Sequence, residues 1–323
     1  MALYHKEVSQ DIYQVNLPLP FALNQVNCYL LRGDEGWTIV DAGLNTPEAR
    51  QGWQTTFAEL GIRAEDIANV ILTHTHPDHY GLAGWLQAWC GLPIKMSARE
   101  NQQAQQVWQQ SYSPNGLLGE AMTHYLSAEA VELASTAIHQ LREMTLPHPQ
   151  AIEIIPYQAE VRMGNRTFVA LHAPGHSDGQ LLFYDAADQL LLCGDQILMR
   201  ITPNIGLWPM SESDPLGRYF KSLRELGRLA VRLGLPGHGA VITNWVERVA
   251  EIEAHHHDRL VKMLAAVNGG GTSLYQICAT VFNLDRLGGH EIRFALAETL
   301  AHVEYMVAEN QLTRDDTWCY YRP

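Results

Sequence analysis

The stretch THTHPDHYG, Thr73 to Gly81, places His74, His76, Asp78 and His79 within one turn, directly after the apolar run ANVILT. No other feature constrains the fold of this chain as much. A short continuous apolar run ending in turn residues predicts a buried strand. His74 and His76, two apart at its end, then point to the same side. Asp78 and His79 open the helix expected over YGLAGWLQAW. One turn thus offers several nitrogen and oxygen donors to a single volume, a donor type suited to zinc. Taken singly, each is also an ordinary turn residue, and Asp78 could simply cap its helix.

Three further motifs repeat the same local grammar. APGHSDGQ puts His176 on a glycine-flanked turn after an apolar run, LLLCGDQI puts Asp195 at the end of another, and GLPGHGAVI sets His238 between two glycines. Glycine permits close backbone approach at such turns. Ligand-type residues at the ends of several strands can converge on one edge of a sheet system.

The order HxHxDH, His, Asp, His, with IVDAG upstream, resembles the metallo-β-lactamase superfamily over about residues 10 to 245. The resemblance implies an αββα sandwich, two mixed sheets with helices outside. It implies that His74, His76 and His176 hold one divalent metal ion and that Asp78, His79 and His238 hold a second. Asp195 would bridge the two, and Asp41 of IVDAG would orient the ligands. Two such ions about 3.5–4 Å apart lower the pKa of a shared water and polarise an electrophile. The implied activity is therefore metal-dependent hydrolysis, with Asp78 and Asp195 neutralising the ions and steering the proton. Zinc is the expected metal, and a site of imidazoles and carboxylates also accepts iron or manganese.

Within the superfamily the set looks most like the glyoxalase II-like hydrolases. True β-lactamases typically carry Cys where Asp195 stands, and Cys193 lies two residues away. The implied substrate is a small-molecule thioester, ester or lactone. One alternative is a nuclease or phosphodiesterase acting on single-stranded RNA through the same metals. The other is a non-hydrolytic iron redox scaffold, against which stand His76, where those members usually carry Glu, and the lack of a flavodoxin-like segment.

Composition weighs these readings. The formal net charge of -13 repels phosphate backbones and anionic membranes. Between Glu251 and Pro323, six Lys/Arg stand against ten Asp/Glu, whereas a surface that reads nucleic acid should be basic. The N-terminus MALYHKEVSQDIY has no apolar core of a secretory leader. The five cysteines are scattered and never in CxxC spacing, which predicts reduced thiols in a cytoplasmic protein. A homodimer is the expected assembly if the chain associates at all.

Along the chain, residues 1–245 read as the catalytic domain and 246–323 as a helical, winged-helix-like module with a terminal hairpin. Residues 97–149, rich in Gln, Ala, Glu and Leu, read as helices inserted between sheet segments, where a substrate cover is expected. His124 and Tyr125 in that insertion, and Tyr80 and Arg200 near the ligands, are candidate substrate contacts. Arg200 could bind an anionic group through its planar fork. The loop 201–215, holding three prolines together with Asn204 and Trp208, must start near the metals. A helix is expected over 216–233. In HHHDRL, consecutive helical positions do not share a face, so at most one of His255, His256 and His257 should point inward.

Overall fold

A computed structural model describes residues 4–21, 23–109, 136 and 138–323, the side chains of 285, 289 and 290 excepted. His124 and Tyr125 lie outside the described residues. Two mixed sheets face each other. The first runs in the order β1-β2-β3-β4-β5-β6-β7, from β1 (His5–Ser9), β2 (Ile12–Pro18), β3 (Gln25–Gly33) and β4 (Gly36–Val40) to β5 (Ile67–Ile71), β6 (Ile94–Met96) and β7 (Ile152–Ile154). Its first four strands pair antiparallel and the remainder parallel. The second sheet has the order β12-β11-β10-β9-β8, built from β8 (Glu160–Met163), β9 (Arg166–His172), β10 (Leu181–Asp185), β11 (Leu190–Gly194) and β12 (Leu233–Pro236). Its one parallel pair is β11 with β12.

Strand alternation explains why the layers stack as they do. In β3, Val26, Cys28 and Leu30 enter the cluster shared with helices on the outside, whereas Tyr29 and Leu31 enter the cluster between the sheets. In β11, Leu191 and Cys193 face outward and Leu190 and Leu192 inward. Strands buried on both faces read as continuous apolar runs, and ANVILT and LLLC are such runs.

Helices α1 (Pro47–Leu60), α2 (Pro77–Tyr80), α3 (Ala83–Cys90) and α4 (Ala98–Ala104) lie on the side of the first sheet. Thr46 caps α1 by accepting from the Ala49 amide, Pro47 starts it, and Gly61 ends it with φ at 68°. That helix makes the crossover from β4 to β5 that a parallel pair requires. The helix expected from Asp78 is broken: α2 spans one turn and α3 restarts after Gly81 and Leu82.

On the other side lie α5 (Pro215–Leu226), α6 (Trp245–Ala266), α7 (Leu274–Val281) and α8 (Gly289–Ala308). The helix expected over 216–233 therefore stops seven residues early. A small sheet of order β13-β15-β14 closes the chain, from β13 (Thr272–Ser273), β14 (Thr313–Arg314) and β15 (Cys319–Tyr321). The terminal hairpin thus gains a third strand from before α7. One apolar cluster joins Leu182, Leu191 and Ile197 of the sandwich to Ile252, Leu300 and Tyr320 of the C-terminal part. The result is an αββα sandwich with a helical module packed on one outer layer. Among the described residues, no helix is long and apolar enough to cross a membrane.

Candidate metal centre

The histidine-bearing turns leave their sheets at one edge. β5 ends at Ile71, so His74 and His76 sit in the loop beyond the strand and not on it. The backbone of Leu181 reaches this loop, donating to the Thr73 carbonyl at 2.9 Å. His76 is the residue before α2, whose first turn holds Asp78 and His79. His176 lies in the β9–β10 turn, Asp195 follows β11, and His238 follows β12.

Three overlapping groups form, in each of which one donor atom per residue lies within 4.8 Å of the others: His74, His76 and His176; His74, His79 and Asp195; Asp78, His79 and His238. Asp195 stands between them. Its Oδ1 is 3.4 Å from His79 Nε2, and its Oδ2 is 3.7 Å from His176 Nε2 and 3.2 Å from His238 Nε2. Asp78 Oδ2 lies 3.2 Å from His238 Nε2. His74 and His79 are fully buried, while His76 and Asp78 are half-buried at the mouth.

Four of the five imidazoles have their inner nitrogen held. Thr73 Oγ1 is 3.0 Å from His74 Nδ1, Asp41 Oδ2 is 2.9 Å from His79 Nδ1, the Asn204 carbonyl is 3.0 Å from His176 Nδ1, and the Gln25 carbonyl is 2.7 Å from His238 Nδ1. Such contacts fix the proton on Nδ1 and turn the Nε2 lone pair toward the centre. Asp41 also accepts from the Thr73 amide and hydroxyl, both at 2.8 Å. It thereby anchors the whole HxHxDH turn.

Metal ions fit this arrangement. Buried polar atoms are normally paired. Here His74 Nε2, His79 Nε2, His176 Nε2 and Asp195 Oδ1 are buried without a hydrogen-bond partner, and all face one space. A Cβ on Gly237 would collide with Asp195 Oδ1 and His79 Cε1. The glycine before His238 is thus needed to keep that space open.

Electrostatics agree. Burial pushes His74 and His176 below the usual histidine range and His76 down to about 3. Burial would also lower His238, but Asp195 and Asp78 together outweigh it and lift that imidazole to about 10. His79 is raised in the same way, by Asp195, Asp41 and Asp78 against burial. Without cations, protons on His79 and His238 balance the buried carboxylates. With cations, those protons are displaced.

Sequence reasoning missed Glu100. The pattern SARE, Ser97 to Glu100, reads as a helix cap, and Ser97 does accept from the Glu100 amide. The Glu100 carboxylate is fully buried and points elsewhere. It accepts from the Thr75 amide at 2.8 Å and hydroxyl at 2.7 Å, from Ser177 Oγ at 2.5 Å and from the Gly179 amide at 2.9 Å. It therefore ties the turn of His74 and His76 to the turn of His176. Burial pushes its carboxyl above the usual range against these bonds.

Other expected contacts fall differently. Tyr80 is fully buried in the cluster on the helix side of the first sheet, its hydroxyl 3.4 Å from Gln109 Nε2 and 3.5 Å from His148 Nδ1. It has no surface to offer a substrate, because the residue after His79 turns into the core. Arg200 is exposed on the irregular segment after Asp195. Trp208 docks on α8, edge-on to Phe294 at 5.2 Å and under the Arg293 guanidinium at 4.8 Å. Of the histidine triplet, His256 alone is buried. His256, Glu298 and His302 form a fourth potential ligand group. Most of its donor atoms are already engaged: His256 Nδ1 is 3.1 Å from His302 Nε2, and Glu298 pairs with Arg259 and accepts from Asn204. His256 Nε2 is left over. An ion-paired guanidinium opposes a cation there.

Residues 22–260 match the profile described as the Metallo-beta-lactamase superfamily, and residues 260–320 that of the Metallo-beta-lactamase-like, C-terminal domain. The chain is 31% identical to the metallo-beta-lactamase family protein TTHA1429 of Thermus thermophilus, with a TM-score of 0.85 over 98% of this chain and 100% of that one. It is 26% identical to a Bacillus subtilis protein named "Probable metallo-hydrolase YqjP", over 94% of this chain and 95% of the relative. It is 24% identical to the atrochrysone carboxyl ACP thioesterase of Aspergillus fumigatus, over 72% of this chain and 57% of that protein.

Proposed function

The chain belongs to the metallo-β-lactamase superfamily of metal-dependent hydrolases, and from that premise we propose that it cleaves a small-molecule thioester, ester or lactone at a paired metal site. The observation that carries this reading is the position of Asp195, whose carboxylate reaches His176 of one ligand set and His79 and His238 of the other. His74, His76 and His176 would hold one ion, Asp78, His79 and His238 the other, and Asp195 both. Bound there, two divalent cations supply a nucleophilic water at neutral pH and polarise the electrophile.

The protein's own groups do the rest. Asp41, Thr73 and the carbonyls of Asn204 and Gln25 hold four of the five imidazoles in one tautomer. Asp78, half-buried and held low by His79 and His238 in spite of burial, would with Asp195 neutralise cations held there and steer the proton. Arg200, exposed on the same segment that begins at Asp195, would meet an anionic part of the substrate.

A carboxylate where β-lactamases keep a thiol supports a glyoxalase II-like activity, and the fungal relative named as a thioesterase supports acyl transfer to water. A donor set of five imidazoles and two carboxylates suits zinc, then iron or manganese. We take residues 1–245 as the catalytic domain and 246–323 as a winged-helix-like module that packs against it. Free cysteines, three of them buried, support a cytoplasmic setting.

A substrate panel tests the reading: acyl-glutathione and acyl-CoA thioesters, lactones, bis-p-nitrophenyl phosphate and single-stranded RNA, each with zinc, manganese or iron. Turnover of the acyl substrates is expected. Turnover of only the phosphodiester or RNA would overturn it.

A further inference from the structure

The segment from Asp195 to Asp214 has no helix or strand, yet it starts at the carboxylate between the two ligand sets and passes His176 at Asn204. Long irregular segments inside compact folds are uncommon and need something to fix them. Here the C-terminal module does so. Arg248 on α6 donates to the Leu198 carbonyl at 2.7 Å and to the Ile201 carbonyl at 2.8 Å. On α8, the Ala297 carbonyl accepts from the Leu207 amide at 3.0 Å.

The central contact is Asn204. Its carbonyl holds His176 Nδ1 at 3.0 Å. Its side-chain Nδ2 donates to Glu298 Oε2 at 2.7 Å and lies 3.4 Å from the Phe294 carbonyl. Glu298 is buried on α8, its other oxygen paired with Arg259. A buried carboxylate is poorly justified by packing alone, since an apolar side chain would avoid its desolvation. A charge-assisted bond from an amide is about twice as strong as a neutral one, and here it ends on the residue that sets a metal ligand's tautomer.

We propose that Glu298 of the C-terminal module is a positioning residue for the metal centre, acting through the Asn204 side chain to hold the Asn204 carbonyl on His176. Glu298 acts through Asn204 and is not itself one of the proposed ligands. The module is then part of the hydrolytic site and not an appendage to it. This inference rests on the metal assignment proposed above.

The test uses the full-length protein loaded with zinc and dialysed against graded concentrations of a pyridine-dicarboxylate chelator, with zinc per chain as the readout. Glu298→Ala and Asn204→Ala should each release one of the two ions about 10-fold more readily, leaving the other within about twofold of wild type. The double variant should be no worse than either single one, because both cut the same connection. Glu298→Gln keeps an acceptor for Asn204 and should restore most of the retention, although Arg259 loses its ion partner. If Glu298→Ala melts at a lower temperature but holds both ions like wild type, Glu298 is structural only and the proposal fails. Equal loosening of both ions, or additive effects in the double variant, would also overturn it. Should Glu298→Ala fail to fold, Asn204→Ala, which leaves no charge unpaired, decides the question by the same readout. A wild-type chain that takes up no zinc would sink the proposed function first; a wild type with two ions isolates the result to this inference.

Discussion

Among the described residues, two buried histidine clusters stand out, and they differ in what is left over. At the sheet edge, His74, His79 and His176 each use Nδ1 for a neighbour and leave Nε2 without a partner. In the module, His302 Nδ1 donates to the Glu298 carbonyl at 2.7 Å, so its Nε2 is free to accept from His256 Nδ1 at 3.1 Å. The second cluster leaves over only His256 Nε2, and it commits its carboxylate to Arg259 and Asn204. Residue type alone would put a metal in both. What separates a cation site from a hydrogen-bonded core is a surplus of convergent acceptors facing open space.

The sharpest way to break that contrast is to remove the shared carboxylate. Asp195→Ala should lower bound metal from two ions towards one per chain and reduce turnover by about 10³-fold or more, since a bound ion supplies several kcal/mol of transition-state stabilisation. His302→Ala should leave elemental analysis at two ions per chain. If it removed a metal ion, the self-satisfied reading of the module cluster would be wrong.

Next in size is the clamp between turns. Glu100→Ala strands donors on Thr75, Ser177 and Gly179. Each stranded buried donor costs about 1–3 kcal/mol; relief of the carboxylate's own burial offsets part of that, so unfolding free energy should drop by roughly 3–5 kcal/mol, with Glu100→Gln losing less. Denaturant melts would show it, and a drop below about 1 kcal/mol would mean the turns hold their geometry without Glu100.

Metal uptake should depend steeply on pH. His238 is held protonated up to about 10 by Asp195 and Asp78 in spite of burial, and that proton must leave before its nitrogen can bind a cation. Below that value, affinity should weaken about tenfold or more per pH unit, measurable by chelator competition between pH 8 and 6. A flat profile would remove His238 from the ligand set.

The module cluster should respond to acid, and removing one of its histidines should take away only that residue's share. Burial lowers His256 to about 2 and His302 to about 3, helped by the charges of His302, Arg259, His255 and His257 at His256 and of Arg259 and His255 at His302. Both folded values lie below the unfolded one, so the native state binds fewer protons. Stability is full above about 6.5 and falls as pH drops toward about 3. At pH 5 each histidine should remove about 2 kcal/mol. His256→Phe should flatten its share of the slope in thermal melts taken from pH 7 to 5, and an unchanged slope would show that His256 titrates normally.

Much of this is legible in the sequence alone. ANVILT and LLLC announced strands buried on both faces, and the spacing of His74, His76, Asp78 and His79 announced ligands, because local periodicity and donor density are written in consecutive residues. Glu100 was not legible, since SARE is equally a helix cap and its carboxylate acts on turns that arrive from elsewhere in the chain. Tyr80 turns into the core, a direction that adjacency to His79 does not record, since it says nothing about which way a side chain leaves a one-turn helix.

The sequence by itself determined the donors, their chemistry and the strand ends that present them, since hydrophobic period and turn residues act over a few positions. Only the tertiary structure decided which nitrogens stay unpaired, that Gly237 keeps the cradle open, and that α8 of the module reaches back through Asn204 to His176. Those outcomes depend on contacts between residues far apart in the chain, and no local pattern records where distant segments meet.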